Sequence, residues 1–196
     1  MKKFVGDLSV ADAEIIERYA SNAHQVLEFG SGGSTQIIAQ SLPASGHLLS
    51  VETDSAWIVA TRRRLDRLAV SDRCTFSLYE NWWVEAESYD LVFVDGLRDL
   101  RHSFARRAWD YLKIGGTMLV HDTRRESDVE DVLSLVRARF EEVQDVRLNE
   151  AALGQASNTT AIVKKTRESY VNWQDAENQP RWKYALTPEP DDFWER

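Results

Sequence analysis

The sequence predicts an α/β fold with a doubly wound, seven-stranded sheet that is mostly parallel and carries an antiparallel strand in a C-terminal hairpin. Apolar runs of strand length alternate with amphipathic helical segments through the first 140 residues, which is the pattern of successive strand–helix units. The last two strand-like runs have no helical pattern between them. They are therefore expected to pair as an antiparallel hairpin at one sheet edge.

The strand segments are short apolar runs bounded by glycine, proline or acidic residues. The run 91–94 is apolar at every position, as expected of a central parallel strand that is buried on both faces. The predicted strands are 25–29, 47–52, 74–79, 90–95, 117–121, 142–148 and 159–165.

The helical segments show apolar residues three and four positions apart. The first begins at a Ser9 cap, and the third is expected to bury Trp57 or Ile58 together with Leu68 while exposing the arginines 62–64. The four later helices are predicted at about 34–41, 55–69, 103–112 and 128–140.

A glycine-rich loop follows the first strand directly. Glu28 ends the strand, and the glycines within 30–33 remove side chains where a ligand would otherwise clash with the backbone. Ser34 and Thr35 can then cap the next helix, whose N-terminal N–H groups attract an anion. The loop therefore predicts a site for a nucleotide-like cofactor.

The Glu-x-Gly-x-Gly-Gly-Ser run at 28–34 resembles the first motif of class I S-adenosylmethionine (SAM)-dependent methyltransferases, although that family often has glycine where Ser34 stands. The order of strands and helices over 20–165 resembles the same family. The resemblance implies a Rossmann-like fold and SAM as cofactor. A dinucleotide fingerprint would instead need glycine at Thr35.

An acid also follows the second strand. Glu52 comes about 20 residues after the glycine loop, where acidic side chains in such folds accept hydrogen bonds from a ribose diol. Both SAM and NAD carry that diol, so Glu52 indicates an adenosine cofactor without choosing between them. A surface carboxylate beside the next helix is the structural alternative.

The resemblance implies cofactor contacts after each of four strands, with Trp82 stacking on adenine. The alternative for Trp82 and Trp83 is that they fill the rim of the core. The implied cofactor-binding residues are Glu28, Gly30, Ser31, Gly32, Ser34, Thr35, Glu52, Thr53, Glu80, Asn81, Trp82 and Asp95.

Asp95, Asp122 and His121 are the candidate catalytic residues. Neighbouring strands lie about 4.8 Å apart, so acids that end the fourth and fifth strands can face one ligand. Two close carboxylates share a cation or a proton, or one has a raised pKa. His121 or His102 could act as a base, but strand alternation would turn His121 away from Asp122 if the strand continued.

Segments 94–96 and 115–122 resemble bacterial small-molecule O-methyltransferases, including catechol-type and sugar-type enzymes. Relatives in that branch hold magnesium with acids after strands four and five, which implies Asp95 and Asp122 as candidate Mg²⁺ ligands. Leu97 and Arg98 stand where those relatives often have further polar ligands. The ion would then need water or substrate oxygens.

Two absences favour oxygen as the methyl acceptor. Amino-methylating relatives commonly have Asn or Asp followed by Pro-Pro after the fourth strand, whereas residues 95–98 read Asp-Gly-Leu-Arg. Cys74 falls at a strand start, which leaves no nucleophile for base-carbon methylation.

Composition limits the partners. With 196 residues, 24 basic and 32 acidic, the chain predicts one domain of net charge −8 that repels nucleic acid. The single cysteine, Cys74, predicts no internal disulfide and suits a reducing compartment. No segment reads as a leader or membrane span, so a cytoplasmic protein without a membrane partner is expected.

The chain divides into a methyltransferase domain at 1–165 and an extension at 166–196 that is rich in tryptophan and tyrosine. That composition is too aromatic for a disordered tail. We expect the extension to pack on the domain or on a partner subunit in a homo-oligomer, with a carbohydrate platform near the site as the alternative.

The sequence therefore predicts a SAM-dependent methyltransferase of the EC 2.1.1 type that O-methylates a small molecule or a sugar moiety. One alternative is a SAM-binding protein without catalysis that serves in regulation or assembly. The other is an NAD-linked oxidoreductase, which Thr35 and the terminal hairpin disfavour.

Overall fold

The computed structural model describes residues 8–82 and 87–166. Strands and helices alternate through this range in the predicted order. The strands are β1 (Gln25–Phe29), β2 (His47–Glu52), β3 (Cys74–Leu78), β4 (Tyr89–Val94), β5 (Leu112–His121), β6 (Val143–Arg147), β7 (Ala151–Ala152), β8 (Gln155–Ala156) and β9 (Thr159–Lys164). The helices are α1 (Val10–Ala20), α2 (Gly33–Ser41), α3 (Ser55–Arg67), α4 (Arg98–Tyr111) and α5 (Glu126–Ala138), with 3₁₀ turns at Ser71–Arg73 and Phe140–Glu142.

Seven strands form one sheet in the order β3-β2-β1-β4-β5-β9-β6. The pairs from β3 through β5 are parallel, and β9 runs antiparallel to both β5 and β6. This confirms the predicted fold class. The strand order reverses between β1 and β4, and a crevice is expected there at the C-terminal ends of the strands.

The sheet separates two apolar layers. Successive side chains of a strand point to opposite faces, so Val92 on β4 packs with α4 and α5 while Phe93 packs with α1 and α2. Both side chains are fully buried. The prediction that the run 91–94 is buried on both faces is confirmed.

One predicted helix start and one predicted set of buried side chains were wrong in ways that affect the site. Helix α4 begins at Arg98 rather than at residue 103. The sequence prediction missed its first turn, because that turn carries charged residues and shows no apolar periodicity. Helix α3 leaves Leu68 exposed instead of burying it, and of the two alternatives Trp57 and Ile58 it exposes Trp57 and half-buries Ile58. The first change adds Arg98 and Arg101 to the crevice, and the second adds Trp57.

Of the predicted C-terminal extension, 166–196, all but Thr166 lies outside the described residues. The domain boundary and the homo-oligomer contact therefore stay predictions. Among the described residues, every helix is too short or too polar to cross a lipid bilayer.

Candidate functional site

A pocket of about 540 Å³ opens at the C-terminal ends of β1, β2, β4 and β5. Its size is typical of cofactor and small-molecule sites. Its walls come from loop segments and first helical turns that follow these four strands. They include 30–34, 52–54, 95–98, Trp57, Arg101, His121, Asp122 and Arg125.

The glycine loop turns sharply at Gly30. Gly30 has φ +89°, a left-handed conformation that glycine adopts without strain, and a Cβ there would lie 2.4 Å from the backbone nitrogen of Gly96. The loop after β1 therefore lies directly against the loop after β4. Only a residue without a side chain allows this approach.

Glu28 supports the loop from beneath. Its buried carboxylate accepts hydrogen bonds from the hydroxyls of Ser34 (2.6 Å), Thr35 (2.7 Å) and Ser50 (2.6 Å). Burial raises the pKa of Glu28 to about 7, although the three hydroxyl donors oppose that rise. Glu28 thus organises the loop and does not line the pocket.

Thr35 joins Glu28 to the start of α2. Its hydroxyl accepts a hydrogen bond from the Gly32 backbone N–H at 2.7 Å and donates to Glu28. Ser34 and Thr35 were expected to cap the helix, but the structure places them inside its first turn, with Gly32 at the cap. The loop and the helix start are therefore held as one unit.

Glu52 lines the pocket at the end of β2. One carboxylate oxygen accepts hydrogen bonds from the Ser31 N–H (2.8 Å) and hydroxyl (3.1 Å), and the other accepts from the Thr53 N–H (2.6 Å). The acid after β2 is thus oriented by the glycine loop itself. Thr53 lines the same wall.

Trp57 lines the pocket, although the sequence predicted that either Trp57 or Ile58 would be buried. Its side chain is 43% exposed, and its indole Nε1 donates a hydrogen bond to the Ser31 carbonyl oxygen. The indole nitrogen lies 3.7 Å from the position that a Cβ on Gly32 would occupy. Trp57 therefore covers the glycine loop from the α3 side.

The described residues that follow β3, 79–82, do not line the pocket as expected for an adenine site. Trp82 is buried in the core, where its ring packs edge-on against Phe29 and Tyr111, with ring-centroid distances of 5.0 and 5.3 Å. Glu80 and Asn81 are exposed. For Trp82 the core alternative holds, because its apolar ring fills the layer beside β1, and Trp83 lies outside the described residues.

The structure brings Asp95, His121 and Asp122 together. One ligand atom from each lies within 4.8 Å of the others. The expectation that His121 and Asp122 point to opposite faces was conditional on a continuing strand. Strand β5 ends at His121, and Asp122 takes a left-handed conformation with φ +63°, which interrupts the alternation.

His121 lies between two sets of carboxylates. Its Nε2 is 3.8 Å from Asp12 Oδ2, and its Nδ1 is 3.5 Å from Asp95 Oδ2 and 3.7 Å from Asp122 Oδ1. Burial would lower the pKa of His121, but these carboxylates together raise it to about 9. The surrounding carboxylates therefore favour the protonated form of His121, which makes it a weaker candidate for a general base.

Asp12 on α1 is a buried residue of the site that the sequence interpretation did not identify. It accepts hydrogen bonds from the Asn158 N–H and the Thr159 hydroxyl, both at 2.8 Å, and burial opposes its ionisation. His121 and the hydrogen-bond donors nevertheless hold its pKa well below the ordinary value. The signal in the sequence was an acid within an apolar helix face.

Arg101 is the buried cation of the site. Its Nη2 donates to Asp95 Oδ1 (2.8 Å) and to the Gly96 carbonyl (3.1 Å). Its Nη1 donates to Asp122 Oδ2 (3.2 Å) and to Asp128 Oδ1 (2.8 Å). The sequence interpretation missed it because it began this helix at residue 103.

The two predicted Mg²⁺ ligands meet this guanidinium. A divalent ion takes about six oxygen ligands at roughly 2.0–2.6 Å, with the carboxylates turned toward it. Asp95 Oδ1 and Asp122 Oδ2 instead face Arg101, and Asp122 Oδ1 accepts from Asn158 at 3.0 Å. The arrangement does not fit a divalent ion at these acids.

The other candidate base, His102, lies away from this cluster. It is half-buried on α4, with its Nδ1 3.3 Å from Asp131 on α5, and it does not line the pocket. The structure thus places His102 between α4 and α5 and outside the pocket, where it cannot serve as the base.

Comparison with known proteins agrees with the fold. Residues 27–123 match a protein family described as "Methyltransferase domain". The O-methyltransferase TomG from Streptomyces achromogenes, solved with SAM, has a TM-score of 0.64 and 17% identity over 82% of both chains. The structure of cofactor-bound Rv0187 from MTB has a TM-score of 0.66 and 17% sequence identity over 82% of both chains.

An O-methyltransferase from Bacillus cereus, in complex with SAH, gives a TM-score of 0.64 and 17% identity, covering 81% of this chain and 83% of that one. At such identities the likeness to these structures shows the fold alone. No curated protein sequence matches the chain.

Proposed function

We propose that this chain, which belongs to the class I SAM-dependent methyltransferases, binds SAM in the pocket and methylates an oxygen of a small molecule or sugar moiety. The observation that carries the proposal is the convergence of the glycine loop, Glu52 and Asp95 in one pocket at the strand ends. These three features provide a backbone cradle, a diol acceptor and an acid beside the acceptor space.

The chain offers suitable groups for each part of the cofactor. Backbone N–H groups in the first turn of α2 point out of the helix end and suit a carboxylate. Glu52 suits the ribose diol, and Trp57 offers an aromatic face beside it. Bound SAM supplies an electrophilic methyl carbon on a sulfonium.

On the acceptor side, Asp95 is the accessible acid. Its side chain is 29% exposed, and Arg101 fixes its Oδ1. Its Oδ2 lies 3.5 Å from His121 Nδ1 and keeps a lone pair that can accept a hydrogen bond from an acceptor hydroxyl. Orientation of this kind accounts for much of the rate of an in-line transfer. No step in this proposal passes through a metal ion.

The alternative of a SAM-binding protein without catalysis has one observation in its favour. Both oxygens of Asp122 are already engaged, by Arg101 at 3.2 Å and by Asn158 at 3.0 Å. The oxygens of Asp122 are therefore less available to an acceptor hydroxyl than those of Asp95. Catalysis rests on Asp95 alone, which makes Asp95 the variant that separates the two functions.

Calorimetric titration of the full-length chain with SAM, S-adenosylhomocysteine and NAD tests cofactor choice. SAM and S-adenosylhomocysteine should bind, and Glu52→Gln should weaken SAM at least tenfold, since a hydrogen bond to a charged group is worth about 1.5–3 kcal/mol. Glu141→Gln changes an exposed carboxylate outside the pocket and serves as the matched control. Binding of NAD without SAM would overturn the proposal.

Catalysis is tested by transfer of a labelled methyl group from SAM to a panel of hydroxylated small molecules and sugars. The wild type should label at least one acceptor, and Asp95→Asn should bind SAM but lose most turnover. SAM binding with no transfer to any acceptor would favour the non-catalytic alternative. Full turnover by Asp95→Asn would remove Asp95 from the mechanism.

A further inference from the structure

We infer that Arg101 is the resident cation of this acidic cluster and holds Asp95 and Asp122 where a divalent ion would otherwise hold them. The site then works without a bound metal. Arg101 acts as a positioning residue, because it contacts the acids and not the reacting atoms. The inference rests on the proposed function for the role of Asp95.

The guanidinium meets carboxylates from three separate elements. Asp95 follows β4, Asp122 follows β5, and Asp128 lies in the first turn of α5. All three lie within 3.2 Å of a guanidinium nitrogen, and the Arg101 side chain is 5% exposed. The planar fork of arginine suits this geometry, because its donors point in fixed and diverging directions.

The cation also ties the acids to the glycine loop. Arg101 donates to the Gly96 carbonyl at 3.1 Å, and Gly96 lies against Gly30. One side chain therefore sets the position of Asp95 and of the loop beneath the cofactor site. A metal ion bound to the acids alone would not make this second connection.

The described groups leave a divalent ion few oxygens. Asp122 Oδ2 also forms an ion pair with Arg125 Nη1 at 2.8 Å, so the two guanidinium groups and Asn158 engage both of its oxygens. Asp95 Oδ2 is left, but it faces His121 Nδ1 at 3.5 Å. An entering ion would have to displace a buried cation, and like charges repel strongly where water is excluded.

Removal of Arg101 should expose the latent site. Three carboxylates would then face one another without the guanidinium, with His121 Nδ1 beside only two of them, Asp95 and Asp122. Such a group either takes up protons or binds a cation. The wild type and an Arg101 variant should therefore differ in metal binding in a direction that simple loss of structure does not produce.

Binding of Mn²⁺ to the full-length wild type, followed by electron paramagnetic resonance and calorimetry, is the first test. It is run with and without S-adenosylhomocysteine, so that failure to bind the cofactor, which would count against the proposed function, is recorded separately. We expect no stoichiometric Mn²⁺ binding in either arm. Stoichiometric binding that Asp95→Asn abolishes would overturn the inference.

The second test compares Arg101→Ala with Arg101→Lys. Arg101→Ala should gain a Mn²⁺ site, whereas Arg101→Lys should not, because the ammonium keeps a charge in the cluster. Arg137→Ala removes a surface arginine paired with Glu130 on α5 and should leave Mn²⁺ binding unchanged. If Arg101→Ala folds only when Mn²⁺ is present, the inference is supported. Failure to fold in Mn²⁺, or a folded variant that binds none, contradicts it.

Discussion

Gly30 and Gly96 lie back to back, so that a Cβ on Gly30 would lie 2.5 Å from the Cα of Gly96. Both residues have positive φ, +89° and +79°. This contact joins the loop after β1 to the loop after β4. The cofactor half and the acceptor half of the pocket are thereby held at a constant separation, and four predictions concern this arrangement.

Gly30→Ala should lower the free energy of unfolding by more than about 3 kcal/mol and abolish SAM binding. A left-handed alanine alone costs about 1–2 kcal/mol, and the clash with Gly96 adds to it. Gly154→Ala is the matched control, since Gly154 has φ +75° and no atom within 4 Å of its Cβ position. Urea unfolding measures both, and equal losses would show that the clash is relieved cheaply.

Thr35→Val and Ser50→Ala should separate loop position from stability. Each removes one hydroxyl donor to Glu28 and should cost about 1 kcal/mol. Only Thr35 also accepts from the Gly32 N–H, so only Thr35→Val should weaken SAM binding in calorimetry. Similar SAM affinities in the two variants would contradict the role given to this link.

Glu28→Gln should change how stability depends on pH. The pKa of Glu28 is raised from 4.5 to about 7, so its contribution is full below about pH 4.5 and is lost as the pH rises through 7. The unfolding free energy of the wild type should therefore fall relative to Glu28→Gln between pH 5 and 8.5, by up to about 3 kcal/mol.

The control for this pH series is Glu80→Gln, which alters an exposed carboxylate. Its difference from the wild type should stay constant across the same range. A flat difference for Glu28→Gln as well would mean that the folded protein does not hold the Glu28 proton more tightly than the unfolded chain does.

Trp57→Phe should weaken SAM binding by roughly fivefold, since it keeps an aromatic ring but removes the indole donor to the Ser31 carbonyl, a hydrogen bond worth about 1 kcal/mol. Val59→Ala lies on the same helix, is exposed, and does not line the pocket. Calorimetry should find it unchanged. An unaltered Trp57→Phe would place Trp57 outside the cofactor site.

Much of the fold could be predicted because its signals are local. The bounds of β1 and β2 were predicted correctly, since each is a short apolar run that stops at a glycine or an acid. The glycine loop was equally visible. Its role in binding SAM stays a prediction, because the spacing of residues in the sequence does not determine which atoms contact a ligand.

The acceptor side was less predictable. Arg101 lies in a charged helical turn without periodicity, and its partners are 6, 21 and 27 residues away in sequence. Trp82 has an aromatic ring that could stack on adenine, yet in the structure the ring packs against Phe29 in the core. Such contacts depend on which helix face meets which strand end.

The sequence by itself determined the succession of strands and helices along the chain, the glycine turn at 30–33 and the acids at the strand ends, because each depends on neighbouring residues. Only the tertiary structure decided that His121 and Asp122 share one pocket and that Arg101 neutralises the acids there. The physical reason is that burial and charge pairing are set by segments distant in the chain, which meet only when the sheet is complete.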